Sequence, residues 1–143
     1  MNALPSQSRF IIGTEACERF SFYGMKSILM LYMTGHLLMS ENWATSTLHI
    51  FVGMVYLLPV AGAWLADKVW GRYKTILYIS LLYCVGHGVL ATADLFQTIE
   101  ARRYILMAGL LIIALGAGGI KPCVSAFMGD QIPDKSPRLM TKA

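Results

Sequence analysis

Glu15, Glu18, Arg19 and Lys26 interrupt an apolar stretch long enough to be a membrane helix. Together with Phe22 they recur at three- and four-residue steps, which return to one side of an α-helix. Leu29, Met30, Met33 and Leu37 continue the same face in apolar form. An ionisable group at a bilayer centre costs at least ~2.5 kcal/mol, so it persists where it faces protein or water. The four charges read either as a structural ion-pair cluster or as part of a proton or substrate pathway. Intramembrane placement favours the pathway.

Composition sets the class. The 143 residues are 56% hydrophobic and 14% charged, with a mean hydropathy of +0.55. Ordinary soluble domains carry about 25% charge, so a polytopic, all-α membrane protein is the first inference. The net charge of +4 is not gathered into a stripe, which argues against a nucleic-acid partner. Cys17, Cys84 and Cys123 each sit in apolar sequence, and their odd number gives no disulfide framework or zinc spacing. Buried packing is the role expected of all three. His36, His49 and His87 have no metal-ligand spacing, so no metal is expected, and packing or a polar contact is the default for His87. The segment Gly116–Lys121 lacks the spacing and preceding strand of a phosphate loop, and no cofactor is implied. Its glycines suit close helix packing, and Pro122 predicts a kink. The N-terminus has a single base, Arg9, before an apolar stretch broken by charges, unlike a signal peptide.

The hydropathy pattern predicts a cytoplasmic segment at 1–16 and four membrane helices at about 17–38, 45–66, 75–93 and 104–128. A polar cytoplasmic tail follows at 129–143. Each span is close to the roughly 20 residues that cross a hydrocarbon core. Trp43, Trp64 and Trp70 lie near span ends, where amphipathic rings favour the interface. With the N-terminus inside, Arg9, Lys68, Arg72, Lys74, Lys135, Arg138 and Lys142 are cytoplasmic, and only Arg102 and Arg103 are outside. That asymmetry predicts a multi-pass protein of the cell membrane with both termini cytoplasmic.

Three blocks of sequence carry a family resemblance. Gly62, Asp67, Lys68, Gly71, Arg72 and Lys74 resemble the G-x-x-x-D-[RK]-x-x-G-R-[RK] signature of the major facilitator superfamily. An ordinary positive-inside loop explains the bases but not the spaced glycines and aspartate. Glu15 to Gly24 resembles the E-x-x-E-R-F-x-[FY]-Y-G motif of the proton-dependent oligopeptide transporter family. Gly116-Ala117-Gly118-Gly119-Ile120-Lys121-Pro122 gives a second match, and Tyr56-Leu57-Leu58-Pro59 with Tyr73-Lys74-Thr75-Ile76 a third. The blocks fall in the family's order over nearly the whole chain.

The resemblance implies inward proton movement coupled to uptake of di- and tripeptides. Glu15 and Glu18 would handle protons, and Arg19 would hold their ionised state and exchange partners with Lys121. His49, seven residues before Tyr56, matches a histidine that animal members use in proton coupling. Tyr23, Lys26, Tyr56 and Lys121 would contact the peptide, the lysines meeting its carboxylate. Where the family more often has arginine, Lys26 offers a point charge in place of a bidentate clamp. Phe22 and Cys123 stand where tyrosine and asparagine are common, and each removes a polar group. Gly62, Asp67, Gly71, Arg72 and Pro122 would serve gating or structure.

A complete facilitator has two six-helix halves around a central site. This chain resembles the first part of one, ending before a fifth helix, with the acid for the peptide's amino group expected in the missing C-terminal half. The expectation is therefore the N-terminal part of a symporter, inactive as an isolated fragment. A small membrane scaffold or interaction protein derived from a transporter is the alternative. An enzyme is not expected, because no nucleophile–base pair, metal motif or cofactor loop is present.

Overall fold

A computed structural model describes residues 7–130. Four long helices fill it, with no strand among the described residues. Helix α1 runs Gln7–Leu31 and continues through a π-helical turn, Tyr32–His36; α2 runs Glu41–Leu65 with a second such turn, Ala66–Trp70. Helix α3 covers Arg72–Ala91, followed by a 3-10 turn at Ala93–Leu95, and α4 covers Ile99–Asp130. The fold is the all-α architecture of a polytopic membrane protein. Glu41–Trp70, Arg72–Leu95 and Ile99–Val124 are each long and apolar enough to cross a membrane. Helix α1 matches them in length, but its five charges dilute its apolarity.

The helices overrun the apolar spans of the sequence. Helix α1 begins at Gln7, inside the segment expected to precede the first span, and α2 continues through Asp67 and Lys68. Backbone hydrogen bonding extends a helix wherever the chain permits, whereas hydropathy marks only the part that meets hydrocarbon. What ends the second helix is Gly71, whose φ of 79° is open to glycine and strained for other residues. Most of the expected tail, including Lys135, Arg138 and Lys142, lies outside the described residues.

Helix α4 is the centre of the bundle. Leu106, Leu110, Ile113, Ala114, Ala117, Ile120 and Val124 are buried along it. Its glycines bring α2 and α3 close: a Cβ on Gly116 would lie 2.8 Å from the Tyr83 Cα. The stripe read from the first span faces this centre, with Glu18, Phe22, Leu29, Met33 and Leu37 all buried. The opposite surfaces are oily, exposing Phe20, Leu57, Val60 and Tyr104. A large apolar exterior of this kind meets lipid or other helices.

Cysteine packing departs from expectation. Cys123 is buried, but Cys17 and Cys84 are exposed. Position in an apolar stretch does not reveal which face of a membrane helix a side chain occupies, and both of these lie on outward faces.

At one end the α1–α2 connection is tied to α4. Arg103 donates from Nε to the Leu37 carbonyl at 3.1 Å and from Nη2 to the Leu37 and Leu38 carbonyls, each at 2.8 Å. Leu38 itself is left-handed, with φ at 50°. Nearby, the Tyr32 hydroxyl donates to Asp94 at 2.7 Å, and His36 lies 3.2 Å from the same carboxylate.

Candidate functional site

The helical repeat places Glu15 and Arg19 one turn apart, and their side chains join in a 2.9 Å salt bridge. Arg19 also reaches Glu18, with Nε 3.5 Å from Oε2. Glu18 is 9% exposed. Its other oxygen, Oε1, is buried with no hydrogen-bond partner among the described residues. One guanidinium thus serves two carboxylates and leaves one oxygen unsatisfied, an arrangement that is costly away from water.

Lys121 enters from α4. Its Nζ lies 5.0 Å from the centre of the Tyr56 ring and 5.6 Å from that of Phe22. Glu18, Glu15 and Arg19 are all within electrostatic reach of this ammonium. Lys121 makes no salt bridge among the described residues, so two aromatic faces on α1 and α2 supply its short-range contacts. Phe22 is itself buried and stacked on Phe51, with ring centres 5.8 Å apart. The hydroxyl absent at position 22 therefore leaves an apolar wall and a cation–π platform.

Other site residues spread around this centre. Tyr56 is 71% exposed apart from its lysine contact. Tyr23 is also exposed and meets Phe22 edge-on at 5.6 Å. Lys26 is half-buried, and His49 is exposed on α2; neither has an ion pair or hydrogen bond among the described residues. The geometry unites Glu15, Glu18, Arg19, Lys121 and Tyr56, and leaves His49 and Lys26 outside that group.

The facilitator-like segment forms a separate feature. Asp67 lies on the π-helical turn and Arg72 opens α3, with Oδ1 and Nε 3.8 Å apart across Gly71. Gly62 sits at the crossing of α2 and α4, opposite Gly119. Pro122 lies within α4, so the helix continues past it to Asp130 without the backbone donor that proline lacks. Next to it the Cys123 thiol turns toward the Gly119 carbonyl at 3.4 Å and the Gly62 carbonyl at 3.8 Å.

Sequence reasoning passed over Tyr83. Its hydroxyl donates to the Glu18 carbonyl at 3.3 Å, from α3. The signal was a tyrosine in the middle of an apolar span, where a hydroxyl needs a partner.

Opposite charges thus meet on the inner side of α1 within a helical membrane bundle. Comparison with known proteins agrees. The sequence pattern of the POT family matches residues 73–143. "Peptide transporter family 1" of Drosophila melanogaster is 48% identical over 127 residues, covering 89% of this chain and 17% of that protein. "Solute carrier family 15 member 2" of Homo sapiens is 44% identical over 133 residues, covering 92% of this chain and 18% of that protein. The crystal structure of the POT family transporter PepTSo superposes with a TM-score of 0.85 at 44% identity, covering 99% of this chain and 28% of that one. An auto-inhibited POT family peptide transporter gives a TM-score of 0.84 at 47% identity, covering 96% of this chain and 27% of that one. The chain belongs to the POT family. It spans less than a fifth of the length of these two curated relatives.

Proposed function

We propose that this chain forms the N-terminal part of a proton-coupled symporter for di- and tripeptides, with Glu15 and Glu18 as its proton-handling carboxylates. The observation that carries the reading is the unsatisfied Glu18 oxygen, buried beside a shared Arg19. A carboxyl that lacks one donor when ionised gains a hydrogen-bonding group of its own when protonated. Arg19 is then released toward Glu15, and Lys121 is the second cation within electrostatic reach of the pair. Proton binding thereby redistributes charge between α1 and α4. Lys121, with the Tyr56 face beside it, offers a peptide carboxylate a cation; Tyr23 and Lys26 extend that surface along α1. His49 stands apart from this group, and its part in coupling is read only from its position before Tyr56.

The relatives are several times longer, so the remaining helices are taken to complete the cavity and supply the acid for the peptide's amino group. Reconstituted as an isolated segment, the chain is expected to show no proton-driven dipeptide uptake. In the chain completed to full length, uptake is expected, and Glu18→Gln should abolish accumulation while sparing peptide exchange, since the amide mimics only the protonated acid. Normal accumulation by that variant would remove Glu18 from proton coupling.

A further inference from the structure

His87 stands in the middle of α3, and the transport reading gives it no part. Its Nδ1 lies 3.2 Å from the Tyr83 carbonyl oxygen, one turn back. Its Nε2 lies 3.1 Å from the Ser21 hydroxyl on α1. A carbonyl can only accept, so Nδ1 carries the hydrogen, and Nε2 of the neutral ring accepts from Ser21. The Tyr83 and His87 rings lie 4.5 Å apart, which fixes the imidazole plane. Tyr83 in turn donates to the backbone carbonyl of Glu18, three residues before Ser21. On its other side its backbone is pressed against Gly116 of α4.

From this chain of contacts we propose that His87 is a positioning residue: with Tyr83 it fixes the turn of α1 that presents Glu18 and Arg19. Ser21–His87 and Glu18–Tyr83 are both hydrogen bonds between α1 and α3. They grip α1 at neighbouring points of the same turn. Two such bonds set both the rotation of that turn and its distance from α3, and so the direction in which the Glu18 carboxyl points. Ser21 alone could satisfy its hydroxyl within its own helix, as Ser27 does by donating to the Tyr23 carbonyl. Its engagement with a histidine on another helix orients the segment instead.

The role rests on Glu18 acting in proton coupling, and the test separates the two. In the full-length protein, glutamine at position 87 places its terminal group where Nε2 stands and keeps the Ser21 bond. Asparagine is one carbon shorter and reaches only the Tyr83 carbonyl. His87→Asn and His87→Ala should lower proton-driven accumulation by roughly two- to tenfold, the range of one lost hydrogen bond, while His87→Gln stays near the parent. Peptide exchange, which needs no net proton movement, should change least. Independently of transport, 15N spectra of the histidine ring should show a protonated Nδ1 whose Nε2 partner signal shifts in Ser21→Ala. Equal behaviour of the Asn and Gln variants, or an Nε2 signal indifferent to Ser21→Ala, overturns the positioning role. A silent Glu18→Gln variant overturns the transport reading instead, and the ring spectra then decide the contact alone.

Discussion

Gly62 of α2 and Gly119 of α4 meet backbone to backbone: a Cβ at position 62 would lie 2.6 Å from the Gly119 Cα and 2.8 Å from its carbonyl oxygen. Neither helix can yield locally, because the obstacle is main chain. Gly62→Ala should therefore cost about 1–3 kcal/mol, the range for overpacking a filled interior. Gly53→Ala is the control, since nothing lies within 4 Å of its missing Cβ. Thermal unfolding in nanodiscs checks the pair, and equal midpoints would refute the close crossing.

Gly71 makes a second demand on the same motif. Its φ of 79° and ψ of 158° lie in a region that essentially only glycine enters, so Gly71→Ala should cost about 1–3 kcal/mol despite open space around it. Asp67→Asn should be far milder: its exposed pair with Arg72 is 3.8 Å long, and such pairs contribute about 0–1 kcal/mol. Unfolding midpoints of the two variants give the comparison; a larger loss for Asp67→Asn would mean that the carboxylate has a more important partner.

Lys121 should matter in a different way from Glu18. Lys121→Ala removes a cation held over two rings and the second cation within electrostatic reach of Glu18, so it should depress accumulation and exchange together. A hydrogen bond between charged groups contributes about 1.5–3 kcal/mol, which puts the loss of peptide affinity at roughly ten- to 150-fold if Lys121 holds the peptide carboxylate. Exchange assays at several peptide concentrations read that affinity. Unaltered exchange would take Lys121 out of the peptide site.

Both termini are expected in the cytoplasm, from the bias of loop bases toward one side. Cysteines introduced near Asn42 and near Ser136 should differ in labelling by an impermeant external reagent, the first reacting and the second protected. External labelling at position 136 would reverse the topology.

Much of this was legible in the chain because helical periodicity and membrane cost act on the same residues. Glu18, Phe22, Leu29, Met33 and Leu37 were expected on one face and are buried along one stripe. The glycines of the fourth span were expected to permit close approach, and Gly116 and Gly119 do so. What sequence could not supply was the pairing across helices. Periodicity placed Lys121 on the fourth span but not over the rings of Phe22 and Tyr56, and it left Tyr83 unnoticed. The outward Cys17 and Cys84 went astray for the same reason, since a uniformly apolar helix does not announce which side faces its neighbours.

The Arg103 contacts bear on the order in which the molecule can be made. Leu38 holds a backbone conformation that costs a non-glycine residue about 1–2 kcal/mol, and the groups that compensate it come from a side chain 65 positions later. A chain is synthesised from its N-terminus, so the first two helices emerge with their connecting turn still free to relax. Only when the fourth helix arrives does its guanidinium draw both carbonyls inward. The contacts that hold this first turn can therefore form only after the fourth helix has been made.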